Sequence, residues 1–327
     1  MKGRDVTREE EVPEHTLLGR GVEFDLIRQL AERWGGATRG LGDDAAVLDA
    51  PAGEYLVVST DTSVENVHFR RGWLTSEEIG YRSAMAATSD LAAMGARPLG
   101  MTVALALPHD WTEDLGRVAD GIGEAARQAR CPIIGGDLAR AEALHCAFTV
   151  LGAAMHPVRR SGARPGDVVY VTGQLGGPGS ALRALARGEE PAAADRERFA
   201  RPVARIREGI WAATHGASAM IDLSDGLVSD AEHLATASGV RLTIDLERLP
   251  VLPGCDPRDA ARSGEEYELL FTSAAALDVE EFSQTFDLRL TAIGGVSAAG
   301  PSEHGVVTFT KASGRVDLEK GYDHFSL

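Results

Sequence analysis

Lysine is nearly absent from these 327 residues: Lys2, Lys311 and Lys320 are the whole set. Any phosphate handled in the middle of the chain must therefore be held by arginine, backbone N–H groups or metal ions. Cysteine is scarce as well. Cys131, Cys146 and Cys255 form no C-x-x-C pair and are odd in number, which argues against a disulfide framework or a structural zinc site and fits a reducing cytoplasm. No apolar run is long enough to span a membrane. The opening MKGRDVTREEEVPEH has no apolar stretch of the kind a secretory signal needs, so residues 1–20 read as a polar, mobile lead-in. Basic charge is in deficit, with Lys+Arg 33 against Asp+Glu 49 and a net charge of -16. Such a surface repels a phosphate backbone and argues against nucleic acid as a partner. The G-x-x-x-x-G-K-[ST] loop, H-E-x-x-H and G-x-S-x-G are all missing, which removes the Walker-type nucleotide loop, the zinc protease helix and the nucleophile elbow.

A hydrophobic content of 44% with 25% charged residues is that of a globular chain, and the length suits two domains. Phe24, Leu26, Ile27 and Leu30 have the spacing of a helix that stops near Gly35-Gly36. Tyr55 to Ser59 reads as a strand running into Thr60-Asp61-Thr62. Thr75 and Glu78 have capping-box spacing and predict a helix from about Ser76 to Met94, with Gly95 as its stop. Met101 to Leu107 predicts a buried strand, Leu115 to Ala126 a helix, Cys131 to Ile134 a short strand entering Gly135-Gly136-Asp137, and His145 to Ala153 another strand. The stretch from His156 to Pro165, rich in Arg, Gly and Pro, predicts a boundary between domains spanning 21–156 and 157–327. Beyond it come a strand from Asp167 to Thr172, a glycine-rich loop from Gly173 to Gly179 that opens a helix, and a strand from Met220 to Leu223 that enters Ser224-Asp225-Gly226. A helix follows to Ser238, with Gly239 in the stop position; Arg241–Leu246, Glu268–Thr272 and Leu288–Ile293 are further strand candidates. The alternation predicts an α/β fold in two halves.

The informative feature is a series of acids read at strand ends or in adjoining turns: Asp43-Asp44, Asp61, Asp90, Asp137, Asp222, Asp225 and Glu265. Small neighbours such as Gly42, Ser59, Thr60, Ser89, Gly136, Ser224 and Gly264 let ligands approach the backbone closely. A single Asp in such a place is ordinarily a cap or turn residue. The repetition, without accompanying histidine or cysteine, points instead to magnesium and phosphates, since magnesium prefers hard oxygen donors. Alone, His68 would be structural, and Arg160 beside Arg159 a solvated surface charge. With lysine missing nearby, Arg160 is the expected phosphate contact, because its planar fork suits phosphate oxygens.

These segments jointly resemble the bacterial thiamine-monophosphate kinase family. The resemblance rests on Gly42-Asp-Asp-Ala-Ala-Val-Leu48, Ser59-Thr-Asp-Thr62 with His68-Phe69, and Ser89-Asp-Leu-Ala-Ala-Met-Gly-Ala96. It rests equally on Gly135-Gly-Asp137, Arg160-Ser-Gly-Ala-Arg-Pro-Gly-Asp167, Ile221-Asp-Leu-Ser-Asp-Gly-Leu227, Gly264-Glu-Glu-Tyr-Glu-Leu269 and Gly321-Tyr-Asp-His-Phe325. These come in the family's order and cover the chain from about Glu23. The resemblance implies the two-domain fold of the aminoimidazole-ribonucleotide synthetase-like superfamily, an α/β (α+β) architecture. In it, the N-terminal domain binds ATP and magnesium and its sheet pairs with its twin in a homodimer, and the cleft between domains is the active site.

The implied magnesium ligands are Asp44, Ser59, Thr60, Asp61, Asp90, Asp137, Asp222 and Asp225. Gly136, Arg160 and Ser224 would contact ATP, the co-substrate, and His68, Glu265 and Tyr322 would contact thiamine monophosphate. The implied activity is direct in-line phosphorylation of thiamine monophosphate to thiamine diphosphate, with several magnesium ions and no residue assigned as nucleophile or base. A cytoplasmic location is expected. The family usually has Gly-Gly-Glu-Asp-Tyr-Glu-Leu where this chain has Ser263-Gly264-Glu265-Glu266-Tyr267-Glu268-Leu269, a departure that touches loop geometry. Two other readings remain: another ATP-using enzyme of the superfamily, or a non-catalytic nucleotide- or thiamine-binding protein. Selenophosphate synthetases carry a reactive Cys or selenocysteine near the N-terminus, and the hydrogenase-maturation dehydratase ends in Cys; this sequence ends in His324-Phe325-Ser326-Leu327.

Overall fold

The computed structural model describes residues 22–38, 48, 52–300 and 305–319. The first half contains α1 (Val22–Trp34), β1 (Tyr55–Val64), α2 (Ser76–Ala93), β2 (Arg97–Leu107), α3 (Leu115–Ala129), β3 (Ile133–Arg140) and β4 (His145–Ala154). The second half continues with β5 (Val168–Thr172), α4 (Gly177–Ala186), α5 (Ala193–Ala200), α6 (Ile206–Thr214), β6 (Ala217–Asp222) and α7 (Leu227–Ser238). It ends with β7 (Val240–Asp245), α8 (Pro257–Ala261), β8 (Leu269–Ser273), α9 (Val279–Phe286), β9 (Leu290–Ala298), β10 (Val307–Lys311) and β11 (Gly314–Val316).

The strands form two sheets. One has the order β1-β4-β2-β3, the other β11-β10-β7-β9-β5-β8-β6. The change of sheet falls between Ala154 and Val168. Pairing is mostly antiparallel; the parallel neighbours are β2 with β3 and β10 with β7. No helix of the described residues is long and apolar enough to cross a membrane.

Helix α2 is the hub. Thr75 caps it, with its side chain accepting the Glu78 N–H at 3.2 Å while the Glu78 carboxylate accepts the Thr75 N–H at 2.8 Å. The two orphan donors of the first turn are thereby satisfied. From Ile79 to Ala93 all residues but Asp90 are buried, because α2 is covered by β1 and β4, by α3, and by α6 and β6 of the second half. Small residues make this possible. A Cβ on Gly80 would lie 2.0 Å from the Val118 carbonyl oxygen, and one on Gly121 would lie 1.9 Å from that of Glu77. Glycine at both positions lets α2 and α3 touch backbone to backbone.

Two strands run further than their sequence suggests. β1 continues past Ser59 to Val64, paired throughout with β4, so Asp61 lies within a strand. β3 begins at Ile133 and runs through Gly135-Gly136-Asp137 to Arg140, paired in parallel with β2. Asp137 is therefore a mid-strand residue and not a turn acid. The reason is local: the Val103 carbonyl would lie 2.0 Å from a Cβ on Gly136, so glycine carries the ladder past Ile134, where the sequence reading ends the strand. Helices α5, α6, α8 and α9 and strands β10 and β11 have no counterpart in the sequence reading.

Candidate active site

A cleft of about 620 Å³ opens between the two halves. On one side it is lined by β1, the segment after it and α2; on the other by α4, α5, the turn after β6 and the segment before β8. Of the residues singled out in the sequence, Thr60, Asp61, His68, Asp90, Arg160, Asp222, Ser224, Asp225 and Glu265 all line it. Asp44 and Tyr322 lie outside the described residues.

The acids come from three elements that the fold brings together. On α2, Arg82, Ala86 and Asp90 share one face by their i, i+4, i+8 spacing, and all three line the cleft. The Ser59 hydroxyl of β1 donates to Asp90 Oδ2 at 2.5 Å. The preceding residue, Ser89, is fully buried and donates to Asp222 Oδ2 at 2.7 Å. Asp222 ends β6, so of two adjacent residues of one helix, Asp90 is an acid of the first half and Ser89 holds an acid of the second. Asp61 accepts the Thr62 N–H at 2.7 Å. Asp225 follows in the turn, where its N–H donates to the buried Asp230 Oδ2 at 3.2 Å.

Burial, and after it the crowding of like charges, pushes these groups toward protonation. Burial pushes Asp222 up to about 7, with Asp90 adding to the shift and the Ser89 hydroxyl and Arg160 opposing it. Asp90 is likewise raised by burial and by Asp61, against the Ser59 hydrogen bond and Arg160. Burial, Asp222 and Asp225 drive Asp230 well above the ordinary carboxylate range. Among the described residues no three His, Cys, Asp or Glu side chains converge closely enough to hold a metal ion by themselves.

His68 and Glu265 line the same cleft. The Val64 N–H donates to His68 Nδ1 at 3.0 Å, which leaves the proton of a neutral ring on Nε2. Glu265 has φ +62 and Tyr267 φ +51, a left-handed region that residues with a Cβ seldom occupy. Backbone bonds hold them there: the Glu265 N–H donates to the Ser224 carbonyl at 2.7 Å and the Tyr267 N–H to that of Leu223 at 2.9 Å. Glu265 also pairs with Arg82.

Gly136 and Asp137 are not among the cleft's lining. Asp137 is exposed and pairs through Ala104 and Ala147 with Thr62. It therefore stands three strand spacings from β1, roughly 14 Å at about 4.8 Å per strand. Within one chain it does not join Asp61 and Asp90.

Several residues that shape the site escaped the sequence reading. Glu266 and Glu268, beside Glu265, are both buried and face away from ligand chemistry. Glu268 accepts from Arg205 at 2.6 and 2.9 Å, from Arg198 at 2.7 Å and from Thr172 at 2.6 Å. Burial works against its charge, but Arg205 and Arg198 outweigh it and pull its pKa down to about 2. Glu266 Oε1 accepts the Gly176 N–H at 2.6 Å and the Ser263 hydroxyl at 2.5 Å, and the Ser263 Oγ accepts the Gly179 N–H at 2.9 Å. The two departures from the family pattern thus bond to each other and together hold the start of α4. The i, i+4 spacing of Arg82 and Ala86 to Asp90 was the one signal that could have revealed Arg82.

Residues 42–154 match the family of AIR synthase related proteins, N-terminal domain, and residues 164–306 match its C-terminal domain. Thiamine-monophosphate kinase of Bacillus subtilis (strain 168) is 34% identical over 324 residues, covering 93% of this chain and 99% of that protein. The crystal structure of thiamine-monophosphate kinase from Stenotrophomonas maltophilia K279a superposes with a TM-score of 0.76 at 33% identity, over 90% of this chain and 98% of that one. AaThiL complexed with AMPPCP and TMP superposes at 0.73 with 30% identity, over 93% and 97%. The chain belongs to the thiamine-monophosphate kinase family, within the AIR synthase related proteins.

Proposed function

We infer that this chain phosphorylates thiamine monophosphate with ATP, giving thiamine diphosphate. The observation that carries the reading is a cleft that Asp61, Asp90, Asp222 and Asp225 line together with Arg160, and whose lining His68 and Glu265 complete. Arg160 and Ser224 are the proposed ATP contacts, with Gly136. His68, Glu265 and Tyr322 are the proposed contacts of the acceptor, Tyr322 by covering the cationic ring with its face.

The donor set fits magnesium. It consists of carboxylates and hydroxyls, and its acids are pushed toward protonation by burial and by one another, which a bound cation would oppose. Magnesium ordinarily takes one or two carboxylates and completes its shell with water and phosphate oxygens, so a site without three converging acids suffices once substrates are present. Asp44, Ser59, Thr60, Asp61, Asp90, Asp137, Asp222 and Asp225 are the proposed ligands. When bound, the metal would neutralise the phosphates that otherwise repel one another and the acids.

The protein's own residues position and neutralise. Arg160 presents a fork to phosphate oxygens. Ser89 and Ser59 fix Asp222 and Asp90, so the acids of the two halves keep their spacing. The acceptor is a phosphate monoester, largely ionised near neutral pH, so transfer in line needs neither a base nor a phosphoenzyme.

Asp137 is accounted for by a homodimer. The outer face of the first sheet carries Leu56 and Val58, 57% and 56% exposed, in alternation with the buried Val57, and continues through Thr60 and Thr62 to Asp137. Pairing of this face with that of a second copy would cover the apolar side chains and give the 21–156 domain its role in dimerisation. A cytoplasmic location fits the free cysteines.

The test is ADP release over a panel of phosphorylated acceptors, with the product identified by mass spectrometry. Thiamine monophosphate should be the preferred acceptor and thiamine diphosphate the product. Absence of turnover with it, or faster turnover with another phosphate ester, refutes the reading.

A further inference from the structure

Helix α2 carries a buried cation that none of the assigned roles uses. Arg82 is 4% exposed and lines the cleft. Its guanidinium is divided between the two halves of the molecule. Nη1 donates to the His68 carbonyl oxygen at 3.0 Å. Nη2 pairs with the Glu265 carboxylate. The ring of Phe199, on α5, lies against the guanidinium at 4.4 Å and fixes its plane. Nε, also buried, has no hydrogen-bond partner among the described residues.

Stability is a poor explanation for this arrangement. A buried ion pair is weak evidence of stabilisation, since desolvation offsets the attraction, and here one N–H is left over. Burial lowers the guanidinium's pKa, against Tyr267 and Asp61. The turn that receives it is held in a left-handed conformation at Glu265. What the arrangement does fix is distance. His68 sits on the segment after β1, and Glu265 sits on the segment before β8, with one rigid planar group between them.

We propose that Arg82 is a positioning residue for the acceptor contacts of the cleft, holding the His68 segment and the Glu265 turn at one separation so that a single acceptor meets both. This rests on the reading of His68 and Glu265 as acceptor contacts. A lysine keeps the charge but is a point donor without the planar fork; it can reach Glu265 or the His68 carbonyl, and does not lock both.

The test compares wild type, R82K and R82M in steady-state kinetics, with thermal midpoints alongside. R82M is expected to raise KM for thiamine monophosphate tenfold to a hundredfold while KM for ATP stays within threefold. R82K is expected to recover part of that loss. A purely structural role would lower the thermal midpoint and move both KM values together. An acceptor KM within threefold of wild type in R82M overturns the inference, as does an equal rise for both substrates. Should R82M not fold, R82K decides: an acceptor KM equal to wild type refutes the proposal. The two levels separate cleanly. Wild type that releases no ADP with thiamine monophosphate overturns the kinase reading and this inference with it. Wild-type turnover combined with an unchanged R82M acceptor KM overturns the inference alone.

Discussion

Ser263 and Glu266 depart together from the family's usual Gly and Asp, and their contact makes the departure testable as a pair. Replacing Ser263 by Gly removes a hydroxyl that donates to Glu266 and accepts the Gly179 N–H. Leaving such buried groups unsatisfied costs about 1–3 kcal/mol, and the added chain freedom of glycine costs roughly another 0.4–1 kcal/mol. Replacing Glu266 by Asp draws the carboxylate back by one C–C bond, about 1.5 Å. The Gly176 N–H, now at 2.6 Å, then falls outside hydrogen-bond range, and one buried methylene worth about 0.8 kcal/mol is lost. Each single variant should therefore lose about 2–3 kcal/mol. In the double variant, S263G/E266D, the Gly176 and Gly179 N–H groups stay unpaired, but the bond between Ser263 and Glu266, lost in either single variant, is lost only once. The double variant's loss should be smaller than the sum by about 1–2 kcal/mol, within the range of coupled neighbours. Urea midpoints at constant slope read the cycle, and KM for thiamine monophosphate reads the consequence for α4, whose Gly179, Leu182 and Arg183 line the cleft. Losses that add to within about 0.5 kcal/mol would refute the reasoning.

Four further outcomes are expected. Glu268→Gln should destabilise by about 3–5 kcal/mol, since it strands Arg198 and Arg205. Because the Glu268 pKa is held near 2 against an ordinary 4.5, that contribution is complete above pH 4.5 and fades as pH falls toward 2; urea midpoints of wild type and variant at pH 7 and pH 3.5 check it. Magnesium should displace protons on binding, because Asp222 stands near 7 in the free site; calorimetry in two buffers of different ionisation enthalpy would reveal no uptake difference if this were wrong, and affinity should fall as pH drops below 7. Arg160→Ala should weaken use of ATP by about 1.5–3 kcal/mol, roughly tenfold to a hundredfold, with an unchanged thermal midpoint; unaltered kcat and KM for ATP would count against the assignment. Gly121→Ala should destabilise by about 1–3 kcal/mol, because its Cβ would meet the Glu77 carbonyl at 1.9 Å; a melting point equal to wild type would contradict the close approach of α2 and α3.

Much was legible in the sequence because it is locally encoded. The capping box at Thr75 and Glu78 sets the start of α2, and Gly239, in the left-handed conformation at φ 66, ends α7. Alternating and continuous apolar runs gave β2, β4 and β5 because burial of side chains follows the strand period. The acids around Asp61, Asp90 and Asp222 stood out because small neighbours accompany them, and the cleft does gather them. What only tertiary structure decided is which groups meet. Ser89 and Asp222 are 133 residues apart, and no local pattern encodes their bond; it exists because α2 packs against β6. The strand read from Cys131 stops at Ile134, before Gly135-Gly136-Asp137, yet a neighbouring strand supplies backbone partners to these three residues and makes them part of β3. Glu265, Glu266 and Glu268 look alike as residues. Burial against Arg198 and Arg205 makes one a structural anion, a serine and a glycine amide make another a brace for α4, and a left-handed turn leaves Glu265 lining the cleft. Residue type follows from the sequence; the partners that fix its charge and direction follow from the packing of elements far apart in the chain.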